Sequence, residues 1–129
     1  MFRIVVLICS ILVLSCKAKT NQLKNGKEHG KWIIKSDDEL WKGKFRYGAE
    51  IGTWKSFNNG RLYKKERYKK NTSYIEFYHP NGRIKSCGKA RMTSDSKEIH
   101  WFYTGEWKYF NESGELLETK VYEKGVLIE

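Results

Sequence analysis

The 129-residue chain has one proline, three cysteines and three histidines. Each scarcity removes a class. Pro80 sits just before a turn glycine (Pro80-Asn81-Gly82), where a missing N–H does no harm to a strand. Cys9, Cys16 and Cys87 are too few and too scattered for a disulfide framework. His29, His79 and His100 fall into no His-x-x-x-His or His-Glu-x-x-His spacing, and none stands beside a cysteine pair, so zinc has no ligand pattern here. The one acidic cluster, Asp37-Asp38-Glu39, lacks the spacing of a calcium loop and reads as turn chemistry. There is no Gly-x-Ser-x-Gly elbow and no phosphate-binding Gly-Lys-Ser, and no cofactor is called for. No stretch after the N-terminal run carries a capped apolar stripe of helical period.

The longest apolar run, Ile4–Leu14, is shorter than the roughly 20 residues that cross a bilayer. Arg3 precedes it and Ser15-Cys16 closes it, which is the pattern of a secretory signal. Val13-Leu14-Ser15-Cys16 resembles a bacterial lipobox, whose cysteine becomes the acylated first residue of the mature protein. The expected organisation is a lipoprotein signal over residues 1–15, a polar tether over 16–25 and a folded domain over 26–129. Acylation at Cys16 would hold the chain on a membrane. Lys17 and Lys19 follow it and no acidic run does, which points to a periplasm-facing place in the cell envelope.

Loss of the signal removes Arg3 alone, so the formal charge falls from +10 to +9 over the 114 residues from Cys16. The basic maximum is Lys64-Lys65-Glu66-Arg67-Tyr68-Lys69-Lys70. It reads either as a solvated strand face or as an attraction to anionic lipid head groups or acidic glycans. Nucleic acid, otherwise a candidate for a basic aromatic-rich chain, is not expected as a partner of an exported one. With Cys9 removed and Cys16 acylated, Cys87 has no intrachain partner and reads as a small buried or half-buried residue.

What the chain does have is repetition. Gly52-Thr53-Trp54-Lys55-Ser56-Phe57-Asn58-Asn59-Gly60-Arg61-Leu62 returns as Gly105-Glu106-Trp107-Lys108-Tyr109-Phe110-Asn111-Glu112-Ser113-Gly114-Glu115-Leu116. Four copies fit a period of about 22 residues, beginning at Gly30, Gly52, Ser73 and Gly105. The third replaces the glycine by Ser73 and the tryptophan by Ile75. Asn-Gly turns in the second and third copies (Asn59-Gly60, Asn81-Gly82), the Ser36-Asp37-Asp38-Glu39 turn of the first and Gly114 of the fourth, between flanks rich in Trp, Tyr, Phe and Ile, make each copy read as a β-hairpin. A lone hairpin is marginal in water, so the units are expected to stack edge to edge. The expected fold is all-β, with tandem antiparallel hairpins forming one elongated, twisted sheet. Trp32, Trp54, Ile75 and Trp107 would form one side-chain ladder, and Trp41, Leu62, Ile84 and Leu116 a second. The spacing from Ser73 to Gly105 is 32 instead of 22, and the polar stretch Met92–Ile99 is expected to be a loop or extended turn.

The pattern Gly-x-Trp-x-x-Phe/Tyr-x-x-x-Gly-x-Leu, as in Gly30-Lys31-Trp32, Gly52–Phe57 and Gly105–Phe110, resembles the MORN-repeat variant of bacterial YwqK-type antitoxin-like proteins, many of them lipoproteins. The likeness covers residues from about Gly26 to Glu129 and implies the same hairpin array. Its motif residues are scaffold, so it implies no catalytic site.

Three functions follow as expectations. The first is a non-enzymatic envelope lipoprotein that binds a protein or an anionic envelope component through an aromatic–lysine groove near Trp41, Tyr63 and Trp101. The second is an antitoxin or immunity-like inhibitor of a partner toxin. The third is an envelope hydrolase pairing Ser94 or Ser96 with His100.

Overall fold

The computed structural model describes residues 19–129, so the signal segment and Cys16 lie outside the described residues. Ten strands follow one another: β1 (Gln22–Lys24), β2 (Lys27–Ser36), β3 (Glu39–Arg46), β4 (Ala49–Asn58), β5 (Arg61–Lys69), β6 (Thr72–Tyr78), β7 (Ile84–Ser94), β8 (Ile99–Phe110), β9 (Leu116–Glu123) and β10 (Val126–Leu127). Each pairs antiparallel with its sequence neighbours, giving one open sheet in the order β1 to β10 and no helix among the described residues. This is the all-β array of tandem hairpins that the repeat predicts.

The turns are set by residues that accept positive φ. Asn59 (49°) and Gly60 (77°) join β4 to β5, and Tyr47 (46°) and Gly48 (82°) join β3 to β4. The tether is shorter than expected: Gln22–Lys24 pair with Lys27–His29 as β1 and β2, which also places His29 in a strand. Half of the expected Met92–Ile99 loop is likewise strand. Met92, Thr93 and Ser94 pair with Trp101, His100 and Ile99, which leaves only Asp95–Glu98 as the connection. There Asp95 accepts the backbone N–H groups of Lys97 and Glu98, both at 2.9 Å. Those two donors hold its carboxyl below the usual range.

All five tryptophans stand on one face of the sheet, as the strand alternation and register place them. The Gly-x-Trp motif builds this face. Gly52 (φ 63°) and Gly105 (φ 69°) sit where the β3–β4 and β7–β8 registers shift, between Lys42 and Lys44 and between Cys87 and Lys89. Two residues later the indole leans back across the preceding strand. Trp54 donates its ring N–H to the Lys44 carbonyl (3.1 Å), and Trp107 donates to that of Lys89 (3.0 Å). Trp32 repeats the contact with Gln22 (3.2 Å). Each ring needs a flat floor. A Cβ on Gly43 or Gly88 would lie under 3.0 Å from the indole of Trp54 or Trp107.

The expected first ladder exists. Trp54, Ile75 and Trp107 are buried, and Ala90 completes the core. Trp32 is half-buried and reaches Trp54 through Phe45, with ring centroids 5.7 and 4.8 Å apart. Tyr103 stacks on Trp107 at 4.0 Å. The second ladder does not form as expected. Register shifts next to three turns place Phe57 opposite Leu62, Tyr78 opposite Ile84 and Phe110 opposite Leu116. Ile84 and Leu116 therefore end near the hairpin tips and stay exposed.

Candidate functional site

The proposed groove residues are all on, or reach, the tryptophan face, but they do not form one site. Trp41 is on β3 and Tyr63 on β5. The Tyr63 hydroxyl donates to Glu39 Oε2 (2.8 Å), and Asn58 Nδ2 donates to Glu39 Oε1 (3.1 Å), which closes a polar cluster at the first hairpin tips. Burial first, and then the Glu39 carboxylate, raise the Tyr63 phenol above its ordinary pKa. Trp101 belongs to β8, with β6 and β7 between it and β5. At roughly 4.8 Å per strand, it stands too far along the sheet to share a ligand with Trp41.

Trp101 instead meets Tyr68, ring centroids 5.5 Å apart in an edge-on arrangement. The floor between them explains the contact. The row across β5 to β8 runs Tyr68, Ser73, Ala90, Tyr103, so two small buried residues sit beneath two aromatic walls. The result is a cleft of about 230 Å³ lined chiefly by Tyr68, Ser73, Ile75, Ala90, Trp101 and Tyr103. At its rim the Lys64 ammonium pairs with Glu66 at 2.9 Å. Trp101 is 37% exposed, so the cleft is an apolar slot with a wet, charged edge. Burial dominates the upward displacement of the Tyr68 and Tyr103 phenols, with Glu66 adding to both. Ser73 stands at the glycine position of the repeat, but only the row register shows that it and Ala90 shape this slot.

The hydrolase pairing takes a different shape. His100 Nε2 lies 3.3 Å from Glu98 Oε2, but the two side chains are 43% and 70% exposed. The imidazole stacks on Phe102 (5.9 Å), and no hydrogen bond links it to Ser94 or Ser96 among the described residues. Ser94 is held opposite Ile99 by the strand register. Nothing there excludes water or orients a nucleophile. His79 serves the scaffold, with Nε2 2.8 Å from the Phe110 carbonyl. Cys87 is a free thiol whose burial, with Glu76 beside it, raises its pKa against the pull of Lys108. That is the opposite of an activated thiolate. Among the described residues no group of three or more His, Cys, Asp or Glu side chains is arranged to hold a metal.

The chain matches no protein-family model, no curated protein and no solved structure.

Proposed function

We propose that this chain is a non-enzymatic binding module, held at the cell envelope by an acylated Cys16, that presents the tryptophan face of its sheet to a partner protein. The observation that carries the reading is the Tyr68–Trp101 slot. An apolar, part-exposed aromatic cleft with an ion pair at its rim has the make-up of a binding hot spot. The hydrolase alternative lacks an oriented nucleophile and a sheltered base. The likeness to the MORN-repeat variant supports the same reading, because in such an array the repeat residues build the sheet and leave its surface to binding.

The test is a photocrosslinked pulldown of the native, lipidated protein from envelopes, with the crosslinker at Met92 beside the slot. One stoichiometric protein partner, lost on Trp101→Ala, is the expected result. A toxin as that partner would make the module an immunity-like inhibitor. Recovery of glycan alone would overturn the protein-partner reading. Acyl labelling that is unchanged by Cys16→Ser would overturn the anchor.

A further inference from the structure

The chain of aromatic contacts along the tryptophan face is interrupted, and the interruption coincides with the slot. On one side Trp32, Phe45 and Trp54 run ring to ring. On the other, Trp107 touches Tyr103 and Phe77, and Tyr103 touches Tyr122. Among the described residues no ring contact joins the two groups, and the Tyr68–Trp101 pair is in ring contact with neither.

The third repeat causes the break. In the second and fourth copies the indole crosses to the preceding strand, over Gly43 or Gly88, and donates its N–H to a carbonyl there. The corresponding residue of the third copy is Ile75, and the residue facing it on β5 is Glu66. The third copy therefore lacks its ring, and a carboxylate stands where the other two have a glycine floor. Both residues line the slot. It is the one stretch between Trp54 and Trp107 that the chain leaves without an indole of its own repeat.

Size and chemistry narrow the occupant. At about 230 Å³ the slot falls below the roughly 300–1,000 Å³ of pockets that enclose whole small molecules, and suits one side chain. Its walls are Tyr68, Trp101 and Tyr103, which favour a further ring in an offset or edge-on arrangement. Ile75 and Ala90 are buried and apolar, so a cationic side chain would lose its hydration against them. Lys64 already holds Glu66 at 2.9 Å, so the rim offers a second cation no unmatched charge. A neutral donor fits better. A carboxylate has roughly four acceptor positions, and the Lys64 pair does not use them all. An indole brings one N–H and no acceptor, which is the group that Trp54 and Trp107 direct to carbonyls.

We propose that the slot receives a tryptophan side chain of the partner protein, which supplies the ring missing from the third repeat and donates its N–H to Glu66. This presupposes that the slot meets a protein, as proposed above, and identifies the partner's anchor residue.

The probe is N-acetyl-tryptophan amide, titrated to millimolar concentration against the whole chain from residue 16 with Cys16→Ser, which dispenses with detergent. The readout is the nitrogen-15 spectrum of the five indole N–H groups, with Trp101 assigned by its loss in Trp101→Phe. The Trp101 signal should shift and saturate, whereas those of the buried Trp54 and Trp107 should hold still. N-acetyl-leucine amide and N-acetyl-arginine amide should bind about tenfold more weakly. Glu66→Gly combined with Ile75→Trp restores the floor and ring of the other repeats and fills the slot from within. Probe affinity should then fall about 30-fold, the loss expected of a hot spot, and capture of the envelope partner should cease. The parent titration decides the question even where this variant fails to fold. Absence of a saturable Trp101 shift would overturn the proposal, as would equal or tighter binding of the leucine or arginine amide. Unchanged probe binding by a folded double variant would overturn it too. A partner captured without a probe response would strike the tryptophan alone. A probe response with no protein captured would strike the partner reading and leave an indole-selective slot.

Discussion

Two glycines with ordinary backbone angles constrain this sheet more than most of those in its turns. Gly43 and Gly88 lie flat under the Trp54 and Trp107 rings, where a methyl group would collide with the indole. Gly88→Ala is expected to cost about 1–3 kcal/mol in urea unfolding, the usual penalty for overpacking. Combined with Trp107→Leu it should cost less than the sum of the two single changes, because the methyl group then has room. Ser73 poses the opposite case. Its Oγ is buried with no hydrogen-bond partner, and such a group costs roughly 1–3 kcal/mol. Ser73→Ala is therefore expected to raise the melting temperature by several degrees, as a domain of this size responds to about 1 kcal/mol. Ser73→Gly, although it restores the repeat residue, should give a smaller gain or a loss, because β6 pairs with β5 without a shift and glycine adds only chain entropy.

The hairpin units owe their shape to where the register slips. A side chain at Gly52 or Gly105 would meet only open space, so what reserves these positions for glycine is their positive φ. Gly52→Ala and Gly105→Ala should each cost about 1–2 kcal/mol from backbone strain alone. Asparagine at the same places should cost less than alanine, since its short polar side chain is better tolerated in the left-handed region; parallel thermal melts separate the two. These slips also explain how far the sequence can be read. The hairpins, their order and the Trp54–Ile75–Trp107 ladder are legible because Asn-Gly turns and period-two alternation are local signals. The expected Leu62, Ile84 and Leu116 ladder fails because one extra residue next to a turn flips every following side chain to the other face, and counting along the chain does not reveal it. Lys42, Lys55 and Lys65 lie 13 and 10 positions apart in sequence and stand opposite one another across β3, β4 and β5 only once the strands are in register. Trp101 is legible as a surface aromatic, but its partner Tyr68 lies 33 positions away and no local signal joins them.

At the scale of the whole molecule, every strand pairs through its backbone only with its sequence neighbours, so among the described residues the array has no second layer to shelter its aromatic face. Phenol groups then do double duty, with rings packed in the core and hydroxyls near carboxylates. Tyr63, Tyr68, Tyr78, Tyr103 and Tyr109 all have raised pKa values, desolvation being the first cause for each. The sign of the consequence is fixed by linkage. An unfolded tyrosine ionises near pH 10, while the folded ones keep their protons to higher pH. The folded state then holds more protons than the unfolded one, so stability is fully present below about pH 10 and falls as pH rises beyond it. Urea midpoints should therefore hold up to about pH 9 and drop clearly by about pH 11. The near-ultraviolet tyrosinate signal of these residues should emerge together with the loss of β-sheet circular dichroism. Tyr68→Phe and Tyr103→Phe remove two of the ionisations on the slot itself, so the double variant should show a shallower alkaline decline than the parent. An equally steep decline in both would place the alkaline sensitivity elsewhere in the sheet and detach it from the aromatic slot.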